Sequence, residues 1–200
     1  MLNCLIVGMP NVGKTYFLIS FAEYMGLKKI QLNLKMKAGM NTAVNYSLEE
    51  ARDKLVSDKE NYTRDLQYIN INIRIGKAEK KIKIIDTCGL HEGIHPEQEI
   101  RKSMAETIDE ITKSNLVLHV IDIKNIYKNN NVLYAVDQMI YNYAQKKTNY
   151  AIIVNKIDLK NYLNNLKIIR KKLSSTIIIP VSAFKKKGFD NVKYLVNNYA

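Results

Sequence analysis

The sequence predicts an α/β fold in which a mainly parallel sheet, with one antiparallel edge strand, carries helices on both faces. Three observations lead to this prediction: short apolar runs rich in Ile and Val, helix-period segments between most of them, and one link too short for a helix. The apolar runs have the length of buried strands. They occupy residues 2–7, 66–75, 82–85, 116–121, 151–154 and 176–181.

Helical segments separate most of these strands. Apolar residues recur at helical spacing within 15–24, 97–112, 132–146, 159–173 and 191–198. The strands at 66–75 and 82–85 are different, because only residues 76–81 join them. A crossover helix does not fit in that link, so this pair is expected to form an antiparallel hairpin.

One segment, at about 26–62, does not follow the strand–helix alternation. It contains alternating polar and apolar residues at 29–34 and a short helix that begins at Ser47. Ser47 and Glu50 have the spacing of a capping box, and Ala51 and Leu55 form the inward stripe. We interpret the 200-residue chain as a single domain over 1–200, with an insertion or extended loop region at about 26–62.

Composition narrows the class of protein. Hydrophobic residues make up 46% and charged residues 25%, which is typical of a folded globular protein and not of a disordered one. No segment is long and uncharged enough to cross a bilayer. Cys4 and Cys88 lack the spacing of a disulfide framework or metal cluster, so the cytoplasm is the predicted compartment.

The net charge of +12 makes RNA or the ribosome a candidate partner, because basic residues that neutralise phosphates release counterions. The basic runs at 170–172 and 185–187 are equally compatible with solvated helix and loop surface.

A phosphate-binding loop is the strongest motif. Residues 8–15, GMPNVGKT, follow a predicted strand and open a predicted helix, which is the context that GxxxxGK[ST] requires. Backbone N–H groups of Asn11, Val12, Gly13, Lys14, Thr15 and Tyr16 are predicted to contact the nucleotide at the helix N-terminus. Lys14 is expected to bridge the β- and γ-phosphates, and the Thr15 hydroxyl to ligate Mg²⁺.

A second motif selects the base. In Asn155-Lys156-Ile157-Asp158, the Asp158 carboxylate can accept hydrogen bonds from N1–H and the exocyclic amine of guanine. Adenine offers no matching pair of donors, so a site built on this acceptor would reject ATP. Ser182 and Ala183, at another strand end, are predicted to contact the guanine carbonyl. The expected ligands are therefore GTP and GDP.

A third motif, Asp86-Thr87-Cys88-Gly89, follows the strand at 82–85. Asp86 is predicted to hold Mg²⁺ through a water, and the Gly89 N–H to contact the γ-phosphate. Loss of that contact on hydrolysis releases a switch loop.

These motifs, in this order, resemble those of the translation-factor-class P-loop GTPases, the Era-, Der- and MnmE-like small GTPase domains. The resemblance implies the small-GTPase fold and hydrolysis of GTP to GDP as a conformational switch. It also implies that Thr63, in Thr63-Arg64-Asp65, is the first-switch threonine that ligates Mg²⁺, with Thr42 as the alternative. The interval from Lys14 to Thr63 is longer than the family usually has, which leaves the segment between them unassigned.

Hydrolysis is expected to be slow without help. Leu90 stands where Ras-type enzymes place a water-orienting glutamine, and it cannot hydrogen-bond to water through its side chain. The resemblance implies that Asn11 binds K⁺, which takes the place of an arginine finger. The alternative hypothesis is a nucleotide-dependent binding module for a ribosome, RNA or protein effector, with negligible hydrolysis of its own. His91 and His95 are interpreted as solvated loop residues and His119 as a hydrogen-bonded core residue.

Overall fold

The structure is a computed structural model that describes residues 1–35, 41–56, 66–75, 78–91, 93, 95–126, 133–146, 148–160 and 162–200. The strands are β1 (Leu2–Val7), β2 (Lys29–Lys35), β3 (Asn41–Ser47), β4 (Gln67–Ile75), β5 (Ala78–Asp86), β6 (Leu116–Asp122), β7 (Asn149–Asn155) and β8 (Ile177–Pro180). The helices are α1 (Lys14–Tyr24), α2 (Leu48–Leu55), α3 (Gln98–Lys113), α4 (Ala135–Ala144), α5 (Tyr162–Lys172) and α6 (Phe189–Tyr199).

The strands form one sheet in the order β3-β2-β4-β5-β1-β6-β7-β8. β1 pairs in parallel with β5 and β6, and the parallel pairing continues through β7 to β8. On the other side, β4 runs antiparallel to β5. The predicted mostly parallel sheet with an antiparallel edge is confirmed, as are helices on both faces.

The antiparallel edge is wider than the sequence predicted. The hairpin of β2 and β3 pairs antiparallel with β4 and continues the sheet beyond it. The alternation at 29–34 indicated β2, but β3 has the sequence NTAVNYS, in which polar residues with low strand propensity interrupt the apolar ones. This hairpin therefore places β4 inside the sheet and not at its edge.

The two faces of the sheet bury separate apolar clusters. Along β1, Cys4 and Ile6 pack beneath α1, α2 and α6, whereas Leu5 and Val7 pack beneath α3, α4 and α5. This alternation follows from the period of two in a strand, whose neighbours cover both faces. No helix of the described chain is long and apolar enough to cross a membrane.

Helix α2 begins with the predicted capping box. The Ser47 Oγ accepts a hydrogen bond from the Glu50 N–H at 3.2 Å, and the Glu50 carboxylate accepts one from the Ser47 N–H at 2.8 Å. Ala51 is fully buried, and Arg52 forms an ion pair with Glu23 of α1. The helix therefore packs onto the α1 side of the sheet.

A polar network lies within the second cluster. His119 of β6 is 2.6 Å from the Tyr150 hydroxyl through Nδ1 and 2.9 Å from the Asp137 carboxylate through Nε2. All three residues are buried, and burial raises the pKa of Tyr150 well above its usual value. His119 is therefore a hydrogen-bonded core residue, as the sequence predicted.

Candidate functional site

The predicted motifs meet at one edge of the sheet. Strands β1, β5, β6, β7 and β8 run in the same direction, so their carboxyl ends and the loops that follow lie side by side. Ligands of open α/β sheets bind at this edge.

The loop at 8–15 has a backbone conformation suited to wrapping an anion. Asn11 has φ 59° and Gly13 has φ 93°, and asparagine and glycine are the residues that tolerate this left-handed region. A Cβ on Gly13 would lie 2.7 Å from the Asn155 side-chain nitrogen. Glycine at 13 therefore permits both the turn and the close approach of the base loop.

Lys14 is held inside this loop. Its ammonium donates to the carbonyl oxygens of Gly8 at 3.1 Å and Met9 at 2.8 Å, and the residue is 6% exposed. Burial lowers the pKa of Lys14, and the Asp86 carboxylate opposes this effect. A phosphate beside this ammonium would supply the negative charge that a buried cation needs.

Thr15, Asp86 and Gln67 form a cluster that fits a divalent cation. The Thr15 hydroxyl donates to Asp86 Oδ2 at 2.6 Å, and the Gln67 amide donates to the same oxygen at 2.8 Å. The other oxygen, Asp86 Oδ1, is buried and has no hydrogen-bond partner among the described residues. Burial raises the pKa of Asp86, and the bonds from Thr15 and Gln67 oppose the rise.

An unpartnered oxygen on a buried carboxylate is costly unless a cation or a water satisfies it, so this donor set fits Mg²⁺. Within the described chain, no three His, Cys, Asp or Glu side chains form a metal-binding group. Mg²⁺ here would therefore complete its ligation with phosphate oxygens and water, as it usually does.

The loop after Asp86 rests directly on the phosphate loop. A Cβ on Gly89 would lie 2.6 Å from the Pro10 backbone nitrogen, so only glycine fits. The Leu90 N–H donates to the Gly8 carbonyl at 3.2 Å, and the Leu90 side chain, 5% exposed, packs in the cluster beneath α3 and α4. Cys88 is buried beside the Thr107 hydroxyl.

Asn155 joins the phosphate and base halves of the site. Its side-chain amide donates to the Val12 carbonyl at 3.0 Å and accepts from the Ala183 N–H at 3.1 Å. Lys156 adopts φ 66° and spans the loops as well. Its ammonium contacts the Asn11 carbonyl at 2.9 Å and the Asp122 carboxylate at 2.6 Å.

Asp158 and Ser182, two residues of the predicted base site, are joined by a hydrogen bond. The Ser182 hydroxyl donates to Asp158 Oδ1 and accepts from the Lys185 N–H at 3.0 Å. Asp158 borders a cavity of about 260 Å³. The residues that line it are Asn11, Gly13, Tyr16, Val56, Asn155, Lys156, Asp158, Leu159, Ala183 and Phe184.

The predicted site residues are thus brought together, except for the first-switch threonine. Thr63 lies outside the described residues. Thr42 lies in β3, where the register runs from Thr42 to Leu34, then to Gln67 and then to Asp86. Three strand spacings of about 4.8 Å separate Thr42 from Asp86, or about 14 Å, which is too far to share a cation.

Five residues at the site were not predicted: Gln67, Asp122, Val56, Leu159 and Phe184. Gln67 pairs with Asp86 across β4 and β5, and Asp122 pairs with Asn155 across β6 and β7. Asp122 carried a sequence signal, because an acidic residue at the carboxyl end of a buried strand lies at the ligand edge. The histidines of the switch loop, His91 and His95, have ring centroids 5.2 Å apart, and the His95 Nδ1 accepts from the Glu97 N–H.

Comparison with known proteins adds family relationships. Residues 35–156 match the family model described as 50S ribosome-binding GTPase. The tRNA modification GTPase MnmE of Thermotoga maritima is 27% identical over 192 residues, which cover 96% of this chain and 34% of that protein. GTPase Der of Thermosipho africanus is 30% identical over 197 residues, which cover 96% of this chain and 36% of that protein. The chain thus spans about a third of the length of these relatives.

Solved structures share the fold. A crystal structure of Era in complex with MgGDPNP and nucleotides 1506–1542 of 16S ribosomal RNA has a TM-score of 0.67 and 22% identity. The match covers 98% of this chain and 56% of that one. The FeoB G-domain of Methanococcus jannaschii has a TM-score of 0.55 at 17% identity, covering 99% of this chain and 96% of that one.

Proposed function

Because the chain belongs to the 50S ribosome-binding GTPase family, whose members bind GTP and hydrolyse it to GDP, we propose a switch that is slow alone and stimulated by K⁺ or a partner. The observation that carries the proposal is the burial of Leu90, whose side chain lies in the apolar core while its N–H contacts Gly8. Hydrolysis of GTP requires a water molecule that is oriented for attack on the γ-phosphate. A leucine side chain in that position cannot hydrogen-bond to this water and so cannot orient it.

Different groups of the described residues bind the phosphates and the guanine base. The N–H groups from Asn11 to Tyr16 and the Lys14 ammonium hold the phosphates, while Asp158, with Ser182 and Ala183, holds the guanine edge. GTPases of this family generally use Mg²⁺, which supplies charge neutralisation when bound. Thr15 and Asp86 are the residues that would hold it, and Gly89 is placed to offer its N–H to the γ-phosphate.

We assign residues 26–62 to an extended first switch region within a single domain over 1–200. Where the structure describes this region, β2 and β3 add to the sheet and α2 packs on α1, so these elements share the core of the chain. We retain Thr63 as the first-switch ligand of Mg²⁺. Gln67, four positions after Thr63 in the sequence, contacts Asp86 and supports this choice. The distance of Thr42 from Asp86 disfavours the alternative.

Asn11 is the proposed K⁺ ligand, together with the phosphates. It is exposed at the mouth of the cavity, beside Pro10, against which Gly89 packs. A cation there would neutralise the negative charge that develops between the phosphates in the transition state. An arginine finger supplies the same charge neutralisation.

The test compares single-turnover GTP hydrolysis in KCl and NaCl at equal ionic strength. We expect at least tenfold faster hydrolysis in KCl, and loss of the difference in Asn11→Ala while GDP affinity changes little. Asn149→Ala, an exposed asparagine at the other end of β7, serves as the matched control. Equal rates in both salts would refute the role of K⁺ and leave a partner as the source of stimulation.

The second candidate is a nucleotide-dependent binding module whose hydrolysis is negligible until a ribosome, RNA or protein effector completes the site. The net charge of +12 favours it, as does the RNA in the similar Era structure. Hydrolysis by the purified chain in KCl, at a rate well above that of free GTP, would argue against this candidate.

Both cysteines are free and buried, which suits our assignment to the cytoplasm.

A further inference from the structure

Gln67 is a polar residue at a position where the pattern of β4 favours an apolar one. Ile69, Ile71 and Ile73 alternate along this strand, are at most 3% exposed and belong to the core cluster beneath α1. Gln67 comes one step earlier in the same alternation and is only 4% exposed. Burial of an amide costs free energy unless the amide is hydrogen-bonded, so Gln67 needs the contact that it makes.

That contact is with the Asp86 carboxylate. Gln67 and Asp86 lie directly opposite each other in the antiparallel pairing of β4 with β5. Residues that are paired in this way place their Cβ atoms about 5 Å apart on the same face of the sheet. The Gln67 Nε2 donates to Asp86 Oδ2 at 2.8 Å, and Asp86 is fully buried. Strand pairing thus fixes the distance between the amide and the carboxylate.

The two oxygens of Asp86 have different surroundings. Oδ2 accepts two hydrogen bonds, one from Gln67 and one from the Thr15 hydroxyl at 2.6 Å. Oδ1 is buried and accepts none from the residues that the structure describes. One oxygen is therefore occupied by donors, and the other is available to a cation or to a water bound to it.

We propose that Gln67 is a positioning residue that limits Asp86 to one-oxygen contact with a divalent cation, and that this limit favours Mg²⁺ over Ca²⁺. The inference rests on the proposed nucleotide and cation site. Mg²⁺ requires near-ideal octahedral ligation and is usually held by one or two carboxylates together with phosphates and water. Ca²⁺ accepts about six to eight oxygens in a flexible geometry and can take both oxygens of one carboxylate.

Thr15 does not replace Gln67 in this role. Thr15 belongs to the phosphate loop and is itself expected to ligate the cation, whereas Gln67 acts only through Asp86. Without the amide, one described donor would hold Oδ2, and the terminal torsion of an aspartate has broad preferences. The carboxylate could then turn both oxygens toward a larger cation.

The test measures GDP affinity by calorimetric titration in Mg²⁺, in Ca²⁺ and in EDTA, at equal ionic strength. Gln67→Met keeps the length of the side chain and removes its donor. The gain in affinity from Mg²⁺ should fall about tenfold, which is typical when a group that orients a metal ligand is removed. The gain from Ca²⁺ should fall less, so the preference for Mg²⁺ shrinks. Each gain is a ratio within one variant, so a general loss of stability cancels.

Two further variants keep the result interpretable. Gln67→Asn retains an amide that is one methylene shorter and should show the same loss of preference, which covers the case in which Gln67→Met does not fold. Asn72→Ala removes an exposed amide from the same strand and should keep the wild-type preference. Thermal unfolding of the nucleotide-free variants measures the separate structural contribution of the Gln67 hydrogen bond.

The ways of failing are distinct. An unchanged preference for Mg²⁺ over Ca²⁺ in the Gln67 variants would overturn the positioning role, and so would an equal loss with both cations, while nucleotide binding would stand. If the wild-type chain binds GDP equally well in Mg²⁺ and in EDTA, then the proposed cation site fails. If it binds neither GDP nor GTP in the presence of Mg²⁺, then the proposed function itself fails.

Discussion

At the scale of single residues, Asn155 shows how one side chain can connect two loops. Its amide nitrogen serves the phosphate loop and its amide oxygen serves the loop that carries Ala183. Both partners are backbone groups in a buried setting, where an unmade hydrogen bond is expensive. The geometry of the base site therefore depends on a residue whose role is to position the other contacts.

We predict that Asn155→Ala lowers the free energy of unfolding by about 1–3 kcal/mol, because it leaves the Val12 carbonyl and the Ala183 N–H unpaired. GDP affinity should fall as well, since both loops lose their alignment. Chemical denaturation and calorimetric titration with GDP measure the two effects. Asn149→Ala, at the exposed start of the same strand, loses only a solvent-exposed hydrogen bond to the Asn115 carbonyl, so it should change stability much less and leave GDP affinity unchanged. Equal effects of the two substitutions would contradict the bridging role.

At the scale of elements, helix α2 begins at its capping box, and its contacts with α1 fix its position. The Arg52 guanidinium pairs with Glu23 and lies 5.9 Å from the centroid of the Tyr16 ring, and Glu23 also pairs with Lys186 of the loop after Ala183. Hydrogen bonding to Lys186, and then to Arg52, lowers the pKa of Glu23 despite some opposing desolvation. Glu23 thus links α2 to the base loop as well as to its own helix.

The capping box should make the stability of α2 depend on pH. Hydrogen bonds from Ser47, first its backbone N–H, lower the pKa of Glu50 from its usual value of 4.5. A carboxylate with a lowered folded-state pKa stabilises the fold above its unfolded-state pKa, and this contribution is lost as pH falls through the folded value. The contribution of Glu50 should therefore be complete above about pH 4.5 and vanish in more acidic solution.

The measurement compares thermal unfolding of the wild type and Glu50→Ala between neutral pH and about pH 3. The difference in melting temperature should be largest at neutral pH and shrink below pH 4.5. Ser47→Ala removes the other half of the box and should cost about 1 kcal/mol at neutral pH. Glu49→Ala, which removes an exposed carboxylate one position earlier and leaves both hydrogen bonds of the box in place, is the control. A constant difference for Glu50→Ala at all pH values would rule out the ionised cap.

At the scale of the whole molecule, the sequence predicted the parallel core and the phosphate and base motifs, and it missed the long-range neighbours. Strands such as β6 and β7 are runs of β-branched and apolar residues, because helices cover both of their faces. The sequence predicted that this strand begins at residue 82, whereas β5 begins at Ala78. The first half of β5 contains exposed charged residues, so it lacks the apolar pattern on which the prediction relied.

The motif residues could be found in the sequence because phosphate, cation and base chemistry restricts the residue types at fixed spacing. Gln67 and Asp122 could not be found in the same way. They reach the site only through strand pairing with Asp86 and Asn155, respectively, and such registers are not written in any local pattern. Phe184 was missed because an aromatic residue after a strand normally indicates core packing.

The charge of the whole chain leads to a further prediction. With a net charge of +12, the chain should bind single-stranded RNA at low ionic strength. If about four phosphates are neutralised, affinity should fall about fiftyfold between about 50 and 200 mM salt. Fluorescence anisotropy with a labelled RNA homopolymer, at constant K⁺, measures the slope.

A double variant, Lys185→Gln with Lys187→Gln, tests whether the exposed basic run of the base loop contributes to RNA binding. Lys186 is left in place because it pairs with Glu23. The variant should reduce the salt slope if this run contacts RNA. Absence of binding at the lowest salt would show that the charge serves another purpose.

The two hydrogen bonds of Asn155 also determine when the nucleotide site can form during synthesis of the chain. Its two bonds join parts of the chain that are far apart in order of synthesis, since Asn155 follows Val12 by 143 positions. At about 5–20 residues per second, the phosphate loop is synthesised about seven to thirty seconds before Asn155. The central strand β1 likewise cannot complete its pairing in the sheet until its two neighbours, β5 and then β6, have been synthesised. A nascent chain should therefore acquire tight GDP binding late and abruptly, once Ala183 has emerged, so nucleotide retention would mark completed synthesis of the domain.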